Sequence, residues 1–122
     1  MKLMTKEVRD ALPPLYSQDG KGKEAKVVVK FFTPTSSFTW FVTEASAVTP
    51  EGEYLPLKEA EGKEVEDTIL FGFVTSSLCP EGEFGYISLN ELTTVKGPLG
   101  LGVERDLHFR PRTVRECVAE RA

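Results

Sequence analysis

Cysteine, histidine and long apolar runs are scarce in this sequence, and each shortage excludes a class of protein. Cys79 and Cys117 are the only cysteines and His108 is the only histidine, so a structural zinc site has too few ligands. The cysteines can form at most one bridge, which favours a reducing compartment. No apolar run approaches the ~20 residues that span a bilayer, and the opening MKLMTKEVRDALPP carries charges where a signal peptide needs its apolar stretch. The sequence therefore predicts a cytoplasmic protein without a cofactor.

Basic residues are also too few for a duplex DNA-binding face. The net charge is −4, from 15 lysines and arginines and 19 acidic residues. The acidic excess is concentrated between residues 44 and 67, where eight carboxylates stand against two lysines. A protein that wraps duplex DNA usually has a basic face, so this charge pattern argues against that function.

Strand-forming patterns dominate what the sequence does contain. Runs rich in β-branched and aromatic residues predict five strands, at residues 25–32, 38–44, 68–75, 84–89 and 104–109. Short links predict that the first strand pairs with the second and the third with the fourth, as antiparallel hairpins. The large apolar residues expected in the core are Phe31, Phe38, Phe71 and Phe73.

Hydroxyl and carboxylate spacing predicts three short helices. Thr5 is a candidate N-cap for a helix within residues 1–12, which Pro13 and Pro14 end. Ser88 and Thr113 are each followed three residues later by glutamate, a capping-box spacing. The sequence therefore predicts one α+β domain over residues 1–122, with a mainly antiparallel sheet of about five strands. Residues 45–67, rich in Glu, Gly, Pro and Lys, are predicted to form a mobile acidic excursion.

The segment at residues 97–109, GPLGLGVERDLHF, concentrates candidate site chemistry. On one strand Glu104, Asp106 and His108 would share a face, and this weak candidate for a metal site would suit a phosphoester hydrolase. The alternative is that Glu104 and Asp106 lie on a solvated sheet face or pair with nearby arginines, while Arg105 meets Glu44 or another carboxylate. The glycines of GPLGLG lack the Gly-Lys-Ser/Thr ending of a phosphate loop and predict a helix stop and tight turn.

Two further groups are candidates for binding. Trp40 and Tyr86, with Lys30 and Arg105, have the aromatic and basic character of a surface that stacks single-stranded nucleic acid. Residues 16–18, Tyr-Ser-Gln, follow a rigid double proline. This segment is either a surface recognition loop or a capping contact to the sheet, and the sequence leaves both open.

Six stretches together resemble a known protein family. They are LPPLYSQ at 12–18, KFFTP at 30–34, WFVTE at 40–44, FGFV at 71–74, FGYISLNEL at 84–92 and GPLGLGVERDLHF at 97–109. The family comprises small bacterial proteins catalogued as a domain of unknown function, often encoded on plasmids and integrative elements near DNA-transfer and anti-restriction genes. His108 stands where that family more often has tyrosine, which weighs against a metal role for it.

The resemblance implies an accessory role on a mobile genetic element, and the absence of a catalytic motif favours a non-enzymatic protein. We therefore expect it to bind another protein, such as a DNA-processing or restriction enzyme with a basic DNA-binding face. The acidic segment 45–67 and the aromatic hairpin are the expected contact surface. The candidate binding residues are Tyr16, Lys30, Trp40, Glu44, Tyr86 and Arg105. Single-stranded nucleic acid is the alternative ligand.

Overall fold

Eleven helices and strands follow one another along residues 1–121, the part of the chain that the structure, a computed structural model, describes. They are α1 (Lys6–Ala11), β1 (Lys26–Val27), β2 (Val29–Phe32), β3 (Thr39–Val48), β4 (Tyr54–Pro56), β5 (Asp67–Thr75), β6 (Glu83–Ser88), α2 (Leu89–Thr94), β7 (Glu104–Arg105), β8 (Arg112–Thr113) and α3 (Val114–Arg121). Turns of 3-10 helix lie at Gly22–Glu24 and Pro98–Gly100.

The main sheet is antiparallel throughout, with strands in the order β6, β5, β3, β2, β7 and with β4 paired to the second half of β3. A second, two-stranded sheet joins β1 to β8. Both predicted hairpins are present, because β2 pairs with β3 and β5 with β6. The α+β class with three helices is therefore confirmed.

The central strand β3 is longer than its sequence pattern predicts. The prediction ended it at residue 44, but it continues through Ala45, Ser46, Ala47 and Val48. Alanine and serine have low strand propensity, and burial between β4 and β5 overrides it here. The predicted excursion at 45–67 thus begins inside β3, and Leu57 and Ala60 within it are 5% and 6% exposed. Its mobility stays a prediction.

The two faces of the main sheet are covered differently. Phe31, Trp40, Val42 and Leu70 lie on the closed face, in the larger core cluster with residues of the N-terminal segment and of α2. On the other face, Phe41 and Phe73 pack with Val114 and Cys117 of α3. Farther along that face, Ile69 and Phe71 stay half-buried. We call this second side the half-open face.

The predicted helix caps are all present. Thr5 Oγ1 accepts a hydrogen bond from Val8 N at 3.2 Å, and Ser88 Oγ accepts one from Glu91 N at 3.2 Å. Thr113 and Glu116 cap each other's backbone N–H, both at 3.1 Å, and the bonds from Thr113 lower the pKa of Glu116. None of the helices described over residues 1–121 is long and apolar enough to cross a bilayer.

Two local predictions are wrong. The fifth strand, predicted at 104–109, contains only Glu104 and Arg105, because Asp106 turns the chain by accepting a hydrogen bond from His108 N. Phe38, predicted to be core, is 38% exposed and stacks against Trp40 with ring centroids 5.7 Å apart. A ring that immediately precedes a strand can stack on a neighbouring ring without being enclosed.

Candidate functional site

A buried glutamate organises the centre of the half-open face. Glu44 is 3% exposed and lies where the pairing of β3 with β5 shifts by one residue, between Val42 and Glu44. Its Oε1 accepts a hydrogen bond from Tyr16 N at 2.9 Å, and its Oε2 accepts one from Gln18 N at 2.6 Å. Burial of a carboxylate is costly unless donors satisfy it, so the segment at 12–18 completes this site.

The side chain of Gln18 also joins the segment at 12–18 to the sheet. Its Nε2 donates to the carbonyls of Lys26 and Thr43, both at 3.0 Å, and its Oε1 accepts from Lys26 N at 2.7 Å. Beside it, Ala45 N donates to the Pro13 carbonyl at 3.0 Å. The segment at 12–18 therefore fastens onto β3 between β2 and β4. Of the two interpretations left open for residues 16–18, the capping contact to the sheet is present, and the recognition role stays a prediction.

This fastening holds Tyr16 in an unusual conformation. Its φ is 73°, in the left-handed region that costs a non-glycine residue about 1–2 kcal/mol. The residue is nevertheless 61% exposed. A backbone strain of this kind persists only where surrounding contacts enforce it, and here the Glu44 carboxylate does so. The result is a tyrosine presented to solvent from a rigid loop.

The other two tyrosines of the chain lie on the same half-open face. The strand register shows this for Tyr54 and Tyr86, because residues directly opposite each other in antiparallel strands point to the same face of the sheet. Tyr86 is opposite Phe71, which is opposite Glu44. Tyr54 is opposite Val48, four residues along β3 from Glu44 and on the same side. Tyr54 and Tyr86 are each 58% exposed. We name this surface the tyrosine face: Tyr16, Val48, Tyr54, Ile69, Phe71 and Tyr86.

Tyr16 and Tyr86 interact directly. The hydrogen bond between their side chains is the main cause that raises the pKa of Tyr86 above its ordinary value. Partial burial and the negative charges of Asp19 and Glu44 act in the same direction. The Tyr86 ring also packs on Phe71, with centroids 5.0 Å apart. Tyr86 therefore keeps its proton at neutral pH, and Asp19 and Glu44 place negative charge beside it.

The second candidate group, at residues 104–108, is built differently. The Arg105 guanidinium donates to the carbonyls of Lys2 and Leu3 and so fixes the N-terminal segment to β7. The predicted pairing of Arg105 with Glu44 is wrong, because the two side chains have these separate partners. Lys30 Nζ lies 3.6 Å from Asp106 Oδ2. These contacts organise the chain locally.

The residues proposed for metal binding do not share a strand face. Glu104 belongs to β7, while Asp106 and His108 lie in the turn that follows it. Across residues 1–121 there is no group of three or more His, Cys, Asp or Glu side chains placed to hold a metal ion. The prediction that the three side chains share a face assumed a continuous strand, and the turn after Arg105 interrupts it.

The residues proposed for stacking nucleic acid are divided between the two sides of the sheet. Trp40 is 8% exposed within the closed-face core. Arg105 is opposite Phe31 and so shares that face. Lys30 is opposite Phe41 and lies on the half-open face with Tyr86. The structure thus brings Tyr16, Glu44 and Tyr86 together. Lys30 shares their face of the sheet, whereas Trp40 and Arg105 lie on the opposite one.

Sequence reasoning missed two residues of this region. It singled out neither Tyr54, which lies on the tyrosine face, nor Ser46, whose Oγ accepts from Leu15 N at 3.1 Å. The available signal was Glu44 itself, a carboxylate inside the otherwise uncharged run of β3. A charge in a buried strand usually has a partner that another segment supplies.

Comparison with known proteins places the chain in a family without assigning a function. No curated protein and no solved structure gave a significant match to it. A family model matches residues 3–122. The chain therefore belongs to the family described as "Protein of unknown function (DUF2958)".

Proposed function

We propose that this protein is a non-enzymatic accessory protein that acts by binding another protein through the tyrosine face. The observation that carries the proposal is that all three tyrosines of the chain lie on that one face and are 58–61% exposed. Tyrosine is enriched at protein interfaces, because it offers a large apolar area and a hydroxyl at a small cost in conformational entropy. Tyr16 is held in place before binding, which lowers that cost further.

Charge indicates what kind of partner would fit. Asp19 and Glu44 lie close enough to Tyr86 to raise its pKa, and Tyr54 follows the exposed Glu53. An acidic rim of this kind attracts a positively charged partner. A DNA-processing or restriction enzyme, with its basic DNA-binding face, has the required chemistry.

The proposed setting is the bacterial cytoplasm and a mobile genetic element such as a plasmid. It rests on the six stretches that resemble the family. Within that setting, a small acidic protein could occupy the surface that a host or element-encoded enzyme uses for DNA.

Single-stranded nucleic acid is the second candidate ligand, and we favour protein binding over it. Trp40 and Arg105 lie on the opposite side of the sheet from Tyr86 and Lys30. The carboxylates beside the tyrosines would also repel phosphates. A nucleic acid would have to bind the tyrosine face against that repulsion.

The proposal is tested by affinity capture from bacterial lysate, with quantitative mass spectrometry of the retained proteins. The test variant is the double substitution Tyr54→Ser/Tyr86→Ser, which leaves the Glu44 contacts intact. The matched control is Leu78→Ser/Leu107→Ser, because these leucines are 89% and 63% exposed and lie outside the tyrosine face. Melting temperatures of all three proteins establish that each is folded.

A protein retained by the unmodified chain and the leucine control, and lost from the tyrosine variant, supports the proposal. Equal retention by both variants contradicts it, and so does the absence of any retained protein. Changing Asp19 to Asn and Glu53 to Gln, both exposed, tests the charge contribution. Deleting residues 47–66 would be a poor test, because Leu57 and Ala60 belong to the core.

A further inference from the structure

A groove on a different part of the molecule has the opposite charge. It lies between the end of α1, the segment at 12–18, the start of β2 and the residues after β4, and its volume is about 560 Å³. Three lysines and one aspartate line it, which gives the lining a net charge of +2 in a chain whose net charge is −4. The charged residues are Asp10, Lys21, Lys26 and Lys58.

The three lysines come from separate segments and are available to a ligand. Lys21 precedes the 3-10 turn, Lys26 begins β1 and Lys58 follows β4, and all three are exposed. Within the described chain, the ion pairs belong to Lys30, Arg112 and Arg115 and involve none of these three lysines. Positive charge is thus distributed along the groove instead of being gathered at one point.

The walls between the lysines are apolar and stiff. Four of the eight prolines in the chain line the groove, together with Val28 and Leu57. Proline rings have fixed φ and no N–H donor, so these walls lose little conformational freedom when a ligand binds. The lining prolines are Pro13, Pro14, Pro56 and Pro111.

We propose that this groove binds an extended acidic peptide segment of another protein, with carboxylates meeting the three lysines and apolar side chains lying on the proline walls. The volume is within the range of roughly 300–1,000 Å³ that is usual for ligand pockets. Separated lysines suit a chain with several carboxylates better than one compact anion, which calls for converging donors. The lining contains no aromatic residue on which a base could stack. This binding site is distinct from the tyrosine face.

The test uses a library of random peptides of about twelve residues displayed on phage, selected on the purified full chain. Selected peptides are synthesised with a fluorophore, and their affinities are measured by anisotropy at low salt. The groove variant is Lys21→Ser/Lys26→Ser/Lys58→Ser. The matched control is Lys2→Ser/Lys63→Ser/Lys96→Ser, which removes the same charge from exposed lysines outside the groove.

We expect selected peptides to combine carboxylates with apolar residues and to lose about tenfold in affinity with the groove variant. The control should bind as the unmodified chain does, and added salt should weaken binding. Amide NMR shifts on titration should concentrate at Ser17, Gln18 and Lys26. Melting temperatures show whether the variants are folded, and a single Lys58→Glu change, with Lys63→Glu as its control, repeats the test with a smaller perturbation.

Three outcomes would overturn the inference: no peptide is enriched, the enriched peptides lack an acidic excess, or the groove variant binds them as well as the control does. Binding of fluorescent oligo-dT that depends on the groove lysines, without peptide binding, would reassign the site to nucleic acid. The Tyr54→Ser/Tyr86→Ser variant should keep its peptide affinity. The proposal for the groove and the proposal for the tyrosine face can therefore be rejected independently of each other.

Discussion

The segment at 12–18 and the segment at 97–109 show how differently two chemically rich stretches can be used. At 12–18, two backbone N–H groups meet a glutamate that is 3% exposed, and the outcome is a rigidly presented tyrosine. At 97–109, Asp106 forms an ion pair with Lys30, whose side chain is 31% exposed, and turns its own chain. Burial, rather than the number of charged residues, decides which contacts shape a surface.

Removal of the Glu44 carboxylate should have the largest effect. Glu44→Ala leaves the N–H groups of Tyr16 and Gln18 without a partner, and we expect the free energy of unfolding to fall by about 3 kcal/mol. Urea denaturation measures this loss. The matched control is Glu53→Ala, which removes an exposed carboxylate and should cost no more than about 0.5 kcal/mol. Equal losses in the two variants would show that the buried carboxylate contributes no more to stability than an exposed one.

A substitution at Gly72 in β5 tests the packing of β5 against β3 beside Glu44. A Cβ at this position would lie 2.2 Å from the Phe41 carbonyl oxygen, which is backbone and cannot move aside. We expect Gly72→Ala to lower the free energy of unfolding by about 2 kcal/mol. Gly85, its partner in β6, has nothing within 4 Å of a Cβ, so Gly85→Ala should be neutral or slightly stabilising. Similar losses for both would mean that β3 does not approach β5 this closely.

Removal of the Asp106 carboxylate should have a small effect. Asp106→Ala breaks a partly exposed ion pair and one turn contact, and such pairs contribute about 0.5 kcal/mol. The same urea experiment measures it. A decrease of more than about 2 kcal/mol in the free energy of unfolding would show that the turn at 106–108 contributes to stability on the same scale as the Glu44 contacts.

The smallest effect is electrostatic and concerns the tyrosine pair. Tyr16→Phe removes the hydroxyl that raises the pKa of Tyr86, so that pKa should fall towards its ordinary value. Carbon NMR of labelled tyrosine, in alkaline titration, follows each ring, and Tyr54→Phe is the control that should leave the Tyr86 pKa unchanged. An unchanged Tyr86 pKa in Tyr16→Phe would show that the hydroxyls do not interact.

The sign of the associated pH dependence follows from the raised pKa of Tyr86. The folded state holds the proton more tightly than the unfolded state does, so the stabilisation is complete below the ordinary tyrosine pKa of about 10. It is lost as the pH rises through the higher pKa of the folded protein.

The elements that the sequence predicts well are those whose signals are local. Ser88 with Glu91, and Thr113 with Glu116, mark two helices, and the run at 25–32 is strand-forming in any context, although it divides into β1 and β2. The bulge beside Glu44 is different, because it depends on Gly72 in another strand and on a loop that arrives from far along the chain.

The candidate site was predictable only in part for the same reason. Tyr16, Glu44 and Tyr86 were each predicted as candidate binding residues. The sequence did not show that they lie close together, because that depends on the register of the strands and on the bulge beside Glu44. Tyr54 joins them because β3 extends to Val48, a continuation that Ala45, Ser46 and Ala47 conceal. The prediction from strand alternation also failed at Asp106. Its carboxylate accepts a hydrogen bond from the backbone N–H of His108, and the strand ends there.

The amide of Gln18 has a consequence for the order of folding. It bonds backbone groups of Lys26 and Thr43, and β1, which contains Lys26, pairs with β8. The pairing of β1 with β8 joins segments that are far apart in sequence, and it forms late because a long loop must close before it is made. We therefore expect residues 12–18 to dock after the strands have assembled. The chain would then display its exposed tyrosines together only once it is fully folded, and a partially folded chain would lack the surface that recognises a partner.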